Sequence, residues 1–504
     1  MPNLLLASSA RLVAAARAHR LTSAAHGFRR LSAGPMTRTS AQGRRKEAAV
    51  AGSVAAAAPA EVAAEAPKFS PALTTIDPSQ YDAQLEAKVE RVRAQFAEFD
   101  PPPLQAFRSR PEHYRMRSEF RVWHQGEDMF FLMFERDEKG QQRDVRVDSF
   151  PVASELLNEL MGLLREHVRA TPMLRHKLFQ ANFHTTLSGD AMVSLIYHKK
   201  LNDEWKQAAE QLREVLATAP SSKTKPQVIG RSRGQKVCVE KDEVLEELAV
   251  DELRLKQVQV EASFSQPNGG MCQNMLSWAR SVTAGSTGAD LLELYCGNGN
   301  FTQALAPNFR KVVATEVSKS SVAAAKRNFE LNGIENVFVA RMSSEEFTSA
   351  WHERRPMKRL EGLDLAALQF STLLVDPPRA GLDPQTVQLL REFDRVVYIS
   401  CNPDTLHANL LEVKDEFEIK RFALFDQFPY THHVECGVYL QKRQKPTAVD
   451  GDGAAAGLAS AAEQQQPEQQ QQQQQPEQEQ AEEQTEQQAA GAADERGVKR
   501  KAED

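Results

Sequence analysis

The stretch LLVDPPRAGLDPQTVQLLREFDRVVYISCNPDTLHANL, residues 373–410, contains two apolar runs that each end in polar residues and proline. The runs at 373–375 and 396–399 have the composition and flanking residues of strands. Asp376 directly follows the first run, and Cys401 closely follows the second. In an open parallel α/β sheet, the carboxyl ends of the strands line the ligand crevice. The pattern therefore predicts an α/β sheet that presents an acid and a thiol to one pocket.

Both ends of the 504-residue chain differ in composition from its middle. Residues 1–46 carry nine basic residues and no acid, which is typical of an organellar transit peptide; a disordered basic arm is the alternative. The expected location is a plastid or mitochondrion, with the cytosol or nucleus as the alternative. Residues 47–72 are rich in Ala and Pro and predict a disordered linker. Residues 446–504 are rich in Gln and Glu, so they cannot bury a core and predict a disordered tail.

The charge and the cysteines limit the classes of function. The formal net charge is −6, so a role in nucleic-acid binding must rest on a local basic patch. No apolar run reaches the roughly 18 residues of a membrane span, so no membrane partner is expected. The five cysteines show no C-x-x-C spacing, and the sequence therefore predicts neither a zinc site nor an iron–sulfur cluster.

One basic patch does occur, at residues 107–123 (FRSRPEHYRMRSEFRVW), where five arginines alternate with aromatic residues. Arginine neutralises phosphate and aromatic rings stack on bases, so this mixture favours RNA binding; a strand with solvated arginines is the alternative. The periodicity around the patch predicts β-hairpins at 120–134 and 179–199 and helices at 79–96, 153–168 and 203–217. We therefore expect a small antiparallel α+β domain at residues 73–255.

A second domain is predicted from residues 290–300 (DLLELYCGNGN), a buried strand that leads into a glycine-rich loop and a helix. The next strand ends in Glu316, 17 residues after Gly299. In a βαβ unit the glycines let a nucleotide approach the backbone, and the acid binds ribose hydroxyls. Such a loop fits a dinucleotide oxidoreductase as well as an S-adenosylmethionine enzyme, but the missing third glycine of G-x-G-x-x-G disfavours the oxidoreductase. We expect an α/β domain at residues 256–445.

The motifs named so far, together with FSQPN, SCNP at 400–403 and FDQFPYTHHVECG at 425–437, resemble the RNA uracil-5-methyltransferase family. The match is to its tRNA (uracil-5-)-methyltransferase branch, extends from about residue 79 to residue 440, and includes HYRMRSEFRVWH, VDSFP, LRHKLFQ and YHKKLNDEW. It implies a doubly wound, Rossmann-like methyltransferase domain preceded by an α+β RNA-binding domain. The implied reaction transfers a methyl group from S-adenosylmethionine to C5 of the T-loop uridine of tRNA. We expect a monomer with no obligate protein partner and no metal.

The resemblance implies two catalytic residues. Cys401 would add to C6 of uracil as a thiolate, because C5 is a poor nucleophile until such an addition makes an enolate. Cys401 precedes a predicted helix start, so the helix dipole is expected to favour its thiolate. Glu435 would remove the C5 proton after methylation. Taken alone, Cys401 is better explained as a small buried residue and Glu435 as a solvated acid.

The resemblance also implies binding residues. The implied S-adenosylmethionine contacts are Gln266, Tyr295, Asn300, Glu316 and Asp376, with Gly297 and Gly299 shaping the loop. For Asp376, an ordinary helix N-cap is the alternative. The implied T-loop contacts are Arg121, Phe179 and His198. Phe179 would fill the space left by the flipped uridine, since reaching C5 and C6 requires unstacking the base; packing in the core is the alternative.

Other interpretations remain open for the sequence. His432 and His433 are of a metal-ligating type, but no further ligands lie at suitable spacing, so packing or RNA contact is the better explanation. The same chemistry could act on ribosomal or transfer-messenger RNA, although family members acting on ribosomal RNA often carry an iron–sulfur cysteine set that this sequence lacks. A catalytically idle RNA-folding protein is disfavoured because both Cys401 and Glu435 are present.

Overall fold

A computed structural model describes residues 73–136, 141–353 and 357–444. These residues all fall in a single compact unit. The transit peptide predicted at 1–46, the linker predicted at 47–72 and the tail predicted at 446–504 lie outside them. Within the described ranges, no helix combines the length and apolar character that crossing a bilayer requires.

The first half of the described chain forms a mainly antiparallel sheet that contains one parallel strand pair, with helices packed on it. Its elements are α1 (Tyr81–Phe96), β1 (Gln105–Phe107), β2 (Arg117–Gln125), β3 (Asp128–Arg136), β4 (Gln142–Val147), α2 (Glu155–Ala170), α3 (Pro172–Arg175), β5 (Leu178–Thr185), β6 (Ala191–Tyr197), α4 (Asp203–Leu216), β7 (Gln227–Ser232), β8 (Gln235–Cys238), β9 (Glu243–Val250) and β10 (Leu253–Val260). Seven strands form one sheet in the order β4-β3-β2-β5-β6-β7-β8. The predicted hairpins and helices are confirmed.

Side-chain caps and apolar spacing explain the two long helices of this half. The Ser154 hydroxyl accepts a hydrogen bond from the Leu157 amide and starts α2, and the Asn202 side chain accepts from the Trp205 amide and starts α4. Such caps satisfy amide groups that the first turn leaves without partners. Both helices pack on the seven-stranded sheet. On β2, buried residues alternate with more exposed ones, so Arg117 and Arg121 lie on the face opposite to that of buried Phe120.

The second half of the described chain forms the larger sheet. Its elements are α5 (Gly269–Thr283), β11 (Asp290–Leu294), α6 (Asn300–Leu305), β12 (Lys311–Thr315), α7 (Lys319–Leu331), β13 (Val337–Ala340), α8 (Ser344–Glu353), β14 (Phe370–Val375), α9 (Pro384–Leu390), β15 (Arg395–Ser400), α10 (Pro403–Val413), β16 (Phe417–Phe425) and β17 (Glu435–Lys442). Short 3₁₀ segments lie at Pro78–Gln80, Ala97–Phe99, Ala306–Asn308, Lys358–Leu360 and Leu365–Ala367.

Eight strands make this sheet, in the order β1-β16-β17-β15-β14-β11-β12-β13. Strands β11 to β15 pair in parallel, and β17 is antiparallel to both of its neighbours. Alternate strand residues belong to different apolar clusters: Leu291 packs with α5 and α6, whereas Leu292 packs with α8, α9 and α10. Helices therefore cover both faces, and the predicted α/β fold is confirmed.

Two features of the fold were not predicted. β1 from the first half pairs in parallel with β16 and extends the larger sheet. β9 and β10 form a separate two-stranded ribbon that contacts α5 and α7. The division into domains at residue 255 stays a prediction. β1, which precedes that residue, lies in the same eight-stranded sheet as strands that follow it.

A buried ion pair joins α1 to the chain that follows β16. Lys88 Nζ donates to Asp426 Oδ1 over 2.6 Å and to the Phe428 carbonyl over 2.9 Å. The Asp426 side chain is fully buried and that of Lys88 is 5% exposed. Gln84 also donates to Asp426, over 3.0 Å. α1 therefore fixes the start of residues 426–434, the segment that leads into β17.

We expect Lys88→Met to lower the free energy of unfolding by about 3–5 kcal/mol, because it leaves the Asp426 carboxylate buried without its counter-charge. Urea unfolding followed by circular dichroism measures the change. The double variant Lys88→Met/Asp426→Asn removes both charges and should recover much of the loss. Equal stability of wild type and the single variant would contradict the importance of this pair.

Candidate active site

The carboxyl ends of two parallel strands and the amino end of a neighbouring antiparallel strand bring the predicted catalytic residues together. β14 and β15 are parallel neighbours, and Asp376 and Cys401 are the first residues after them. β17 runs antiparallel to β15 with Cys436 opposite Ser400. Glu435, the first residue of β17, therefore lies beside Cys401. The predicted meeting of an acid and a thiol at one sheet edge is confirmed, and the reversed strand adds a second acid.

A capped helix start fixes the turn that carries Cys401. Asn402 is the N-cap of α10, and its side chain accepts a hydrogen bond from the Asp404 amide over 3.2 Å. The same side chain donates to the Arg379 carbonyl over 3.0 Å. Cys401 thus directly precedes a capped helix, as predicted, and the cap ties this turn to the loop after β14.

The charges around the thiol act against its ionisation in the RNA-free protein. Burial, followed by the nearby Glu435 and Asp376, raises the pKa of Cys401 to about 11, while Arg379 acts in the opposite direction. The expected preference for the thiolate is therefore wrong for this state, because desolvation and two acids outweigh the helix start. Burial and Asp376 likewise raise the pKa of Glu435 well above its ordinary value. Burial raises the pKa of Asp376 to about 7.

We expect alkylation of Cys401 by iodoacetamide to accelerate about tenfold per pH unit between pH 7 and pH 10, since the reactive thiolate fraction grows that way below the pKa. Peptide mass spectrometry at timed intervals measures the rate at this cysteine. Arg379→Met should slow the reaction at each pH, because it removes the positive group that lowers the pKa of Cys401. A rate that reaches its plateau below pH 8 would contradict the raised pKa.

The glycine loop after β11 lies at the same edge of the sheet, because β11 is the parallel neighbour of β14. Tyr295, Gly297 and Gly299 all have φ values in the left-handed region, at 61°, 57° and 81°. The Gly297 amide donates to Glu316 Oε2 over 3.1 Å, and the Ser318 amide donates to Glu316 Oε1 over 2.7 Å. The acid after β12 is therefore held against the glycine loop, as a βαβ nucleotide site requires.

The remaining predicted cofactor residues have partners of their own. The Tyr295 hydroxyl lies 2.9 Å from the Ser344 hydroxyl. The Asn300 side chain accepts a hydrogen bond from Gln257 over 3.1 Å. Gln266 accepts one from Gln427 over 2.5 Å, which links it to the segment that leads to Glu435.

The two loop glycines predict a contrast between matched variants. A Cβ atom at Gly299 would lie 2.6 Å from the Phe329 ring, whereas one at Gly297 would meet nothing within 4 Å. Gly299→Ala should lower the free energy of unfolding by about 2–5 kcal/mol, because left-handed backbone and a clash both cost. Gly297→Ala should cost about 1–2 kcal/mol, from the backbone alone. Urea unfolding measures the free energy of unfolding of both variants. Equal losses of stability would show that the close contact between residue 299 and Phe329 has no effect.

The three predicted RNA-binding residues lie together on the seven-stranded sheet. The rings of Phe179 and His198 stack with centroids 3.8 Å apart. The Arg121 guanidinium carbon lies 5.6 Å from the centre of the Phe179 ring. Arg121 and His198 are exposed and Phe179 is partly buried. We call these three residues the Arg121 cluster; its position outside the core favours binding over packing for Phe179.

Three groups of the site were not assigned a role from the sequence. Arg379 favours the charged forms of both Cys401 and Glu435, and Gln427 contacts Gln266. Glu293 lies in β11, its pKa is raised to about 8 by burial, and its Oε2 atom is buried without a hydrogen-bond partner. Each lies inside a motif quoted above, but their roles depend on neighbours that are distant in sequence.

The adjacent histidines do not form a metal site in the part of the chain that the structure describes, where no group of three His, Cys, Asp or Glu side chains could hold an ion. Burial lowers the pKa of His433 to about 4, and it lowers the pKa of His432 as well. His433 Nδ1 lies 3.3 Å from Arg379. Packing against the site explains His433 better than metal binding.

These features fit S-adenosylmethionine. The glycine loop leaves the backbone open at Gly297, the Glu316 carboxylate is held beside it, and the Asp376 carboxylate has no hydrogen-bond partner among the described residues. A parallel sheet with one reversed strand, helices on both faces and such a loop defines a Rossmann-like α/β methyltransferase.

Comparison with known proteins gives the particular family. The family profile described as tRNA (Uracil-5-)-methyltransferase matches residues 80–443. The chain therefore belongs to the S-adenosylmethionine-dependent tRNA (uracil-5-)-methyltransferases. It is 52% identical over 374 residues to the tRNA/tmRNA (uracil-C(5))-methyltransferase of Chromohalobacter salexigens, covering 74% of this chain and 98% of that protein. It is 52% identical over 364 residues to the protein of the same name from Acinetobacter baylyi, covering 72% and 98%.

A solved structure supports the fold. The tRNA (uracil-54, C5)-methyltransferase of Pyrococcus abyssi, in complex with S-adenosyl-L-homocysteine, superimposes with a TM-score of 0.52 at 20% sequence identity. The match covers 73% of this chain and 84% of that one. At this identity the likeness bears on the fold alone, and it agrees with the α/β methyltransferase architecture.

The prediction of a plastid or mitochondrial location is wrong in the light of these relatives. Both are bacterial proteins, and an identity of 52% over nearly their whole length points to a bacterial, cytoplasmic protein. Bacterial relatives of this kind have no organelle to which an arginine-rich leader would direct them. The relatives give no support to a transit peptide at residues 1–46.

Proposed function

We propose that this enzyme methylates C5 of the T-loop uridine of tRNA through a covalent bond between Cys401 and C6, which Glu435 resolves. The observation that supports this most is the antiparallel register that sets the first residue of β17 beside the residue that follows β15. A nucleophile and a carboxyl group are then available to adjacent atoms of one pyrimidine ring. Each residue has a separate task.

Cys401 supplies the nucleophile. Its sulfur bonds to C6 of the uracil, and the electron pair of the C5–C6 double bond moves toward O4, which makes C5 nucleophilic. The thiol must first lose its proton, and its raised pKa makes that step costly. Among the described side chains, Arg379 favours the charged sulfur. We infer that Arg379 is the main aid to thiolate formation once the pocket closes on RNA.

S-adenosylmethionine supplies the methyl group to C5 when it is bound. Glu316 would hold the ribose hydroxyls, since its carboxylate already lies against the glycine loop after β11. Gln266, Tyr295, Asn300 and Asp376 would contact the rest of the molecule. Gln427 orients Gln266 through the 2.5 Å hydrogen bond.

Glu435 completes the reaction. It removes the proton from C5, the C–H electron pair restores the C5–C6 double bond, and the Cys401 sulfur leaves as a thiolate. Its raised pKa means that the group must lose its own proton before this step. Once ionised, the same burial makes the carboxylate a stronger base than an exposed acid would be.

The Arg121 cluster would grip the RNA. The Phe179 ring offers an aromatic face, and Arg121 and His198 offer donors to phosphate beside it. The target base must leave its stack to reach Cys401, and a partly exposed aromatic ring can occupy the space it leaves. This supports residues 73–255 as the RNA-binding half, beside a catalytic half at residues 256–445.

The test is nucleoside mass spectrometry of RNA treated with the protein and methyl-labelled S-adenosylmethionine. We expect one labelled 5-methyluridine per tRNA, mapped to the T-loop by nuclease digestion. Transfer-messenger RNA is the second candidate substrate, because the relatives are named for tRNA and tmRNA. A tRNA whose T-loop uridine is replaced by cytidine is the control. Label elsewhere in tRNA, or in ribosomal RNA alone, would contradict the proposal.

A further inference from the structure

A cavity of about 560 Å³ opens on the seven-stranded sheet next to the residues that lead to Gln266. Its wall includes Arg115, Arg117, Glu119, Asn182, Phe264 and Phe428. The Met116 amide donates to the Pro267 carbonyl over 2.7 Å, which joins the start of β2 to the segment that carries Gln266. Neither Cys401 nor Glu435 lines this cavity. It is therefore distinct from the place where the target base reacts.

Two arginines in this wall have no acid within ion-pair distance among the described residues. Arg115 and Arg117 are both partly buried, and neither forms an ion pair among the described residues. Arg115 Nε donates to the Arg117 carbonyl over 2.8 Å, and Arg117 Nη1 donates to the Ser263 carbonyl over 3.1 Å. A guanidinium held away from water without an acid is costly. An anion entering the cavity would relieve that cost.

Neither acid of the wall forms an ion pair with Arg115 or Arg117, although Glu119 favours the charged form of both from a greater distance. Glu261 is occupied, because its carboxylate accepts from Arg231 over 2.7 Å and from Ser194 over 3.0 Å. Glu119 accepts from Gln180 over 3.2 Å. Burial lowers the pKa of His184 to about 4, so this ring adds no positive charge at neutral pH. Arg231 and Lys236 balance Glu261, so Arg115 and Arg117 share the exposed Glu119 as the remaining acid of the wall and leave a positive excess.

Other groups in the wall suit a nucleobase. The side-chain oxygen of Asn182 accepts a hydrogen bond from the Gln180 side chain over 2.9 Å, and the side-chain nitrogen of Asn182 has no acceptor among the described residues. In the antiparallel register Asn182 lies opposite Glu119, so a donor and an acceptor stand side by side. Phe264 is 70% exposed and offers a face for stacking.

The cavity also lies in line with the Arg121 cluster. Arg117, Glu119 and Arg121 alternate along one face of β2, so the cavity and the cluster are separated by roughly 13 Å along the strand. That distance is about two nucleotide steps of an extended RNA strand. An RNA held by the cluster and reacting at Cys401 would pass this wall.

We propose that this cavity binds a second nucleotide of the RNA substrate, one that is not methylated. Its phosphate lies against Arg115 and Arg117, and its base edge meets Asn182 and Glu119. This inference rests on the proposed function, since it takes the occupant from the same RNA. The cavity then selects RNAs whose loop can present two unstacked nucleotides, which adds to specificity without touching the reacting atoms.

The experiment measures dissociation constants for a T-arm RNA hairpin and for a series in which each non-target loop nucleotide is abasic. Asn182→Ala should weaken binding of the intact hairpin about three- to tenfold, because one hydrogen bond is lost. One abasic hairpin should bind wild type more weakly, and Asn182→Ala should add no further loss for that RNA. Additive losses at every position, or an unchanged affinity for the intact hairpin, would overturn the proposal.

A second variant tests the phosphate contact. Arg115→Gln keeps a donor for the Arg117 carbonyl but removes the charge, so the salt dependence of RNA binding should fall by about one charge. The matched control for Asn182→Ala is Asn274→Ala on α5, because Asn274 is partly buried like Asn182 but does not line the cavity. An unchanged salt dependence in Arg115→Gln would overturn the phosphate assignment.

Two further measurements, of cofactor binding and of methylation, separate this inference from the proposed function. S-adenosylhomocysteine binding by calorimetry should be equal in wild type and Asn182→Ala; loss of that binding with intact RNA affinity would assign the cavity to the cofactor and overturn the inference. Methylation of the intact hairpin by wild type is measured as well. If wild type does not methylate the hairpin, the proposed function is contradicted. If wild type methylates it but Asn182→Ala binds the RNA as tightly as wild type, only the second nucleotide site is contradicted.

Discussion

Cys401→Ala should lower the rate of uridine methylation by about four orders of magnitude or more while RNA affinity stays within a few-fold of wild type. Removing a nucleophile costs at least this much in enzymes that depend on covalent catalysis. The thiol is only partly buried at the end of β15, so its loss leaves a small cavity and the fold should persist. Transfer of labelled methyl groups to tRNA measures the rate, and filter binding measures the affinity.

The matched control is Cys238→Ala. Cys238 is partly buried like Cys401 but ends β8 in the seven-stranded sheet. That variant should methylate at the wild-type rate, because its thiol lies on a strand that does not reach the catalytic residues. Methylation of uridine by Cys401→Ala at more than a thousandth of the wild-type rate would contradict covalent catalysis by this sulfur.

Glu435→Gln should trap the enzyme on its RNA. The amide has nearly the same shape as the carboxyl group but cannot accept the C5 proton, so the methylated adduct cannot expel the Cys401 sulfur. Turnover should fall by a factor of about 10²–10⁴. The trapped complex should appear as a slower band on a denaturing gel, in proportion to enzyme and only when S-adenosylmethionine is supplied.

The double variant Cys401→Ala/Glu435→Gln is the control for the trapped complex. It should give no slow band, because the bond that holds the RNA requires the Cys401 sulfur. Glu418→Gln, on the neighbouring strand β16 and away from the site, should behave as wild type. Normal turnover of Glu435→Gln without a slow band would show that another group removes the proton.

Local patterns in the sequence were sufficient for most elements of the fold. The apolar spacing of residues 81–96 and the caps Ser154 and Asn202 are properties of a few neighbouring residues, and they define α1, α2 and α4. The glycine loop and Glu316 were recognisable because a βαβ unit places them at a fixed spacing. The family resemblance, which the comparisons confirmed, then indicated residues such as Cys401 as candidates for the site.

The effect of the surrounding charges on Cys401 could not be predicted from local sequence patterns. The helix start after Cys401 favours a thiolate, but burial of the sulfur, and then Glu435, which the pairing of β17 with β15 brings beside it, raise the pKa of the thiol. That pairing depends on β17 entering the sheet between β15 and β16. Strand order is decided by packing between distant segments, which no local spacing records.

The sequence by itself therefore determined the class of sheet, the family and the residue types of the chemistry, because these follow from periodicity and from motifs of contiguous residues. The tertiary structure alone decided that Lys88 is buried against Asp426, 338 residues away. It also decided that Arg115 and Arg117 face a cavity without forming an ion pair among the described residues, and that burial raises the pKa of the Cys401 thiol. These features depend on desolvation and on charges that folding brings together, and the packing of the whole chain determines both effects.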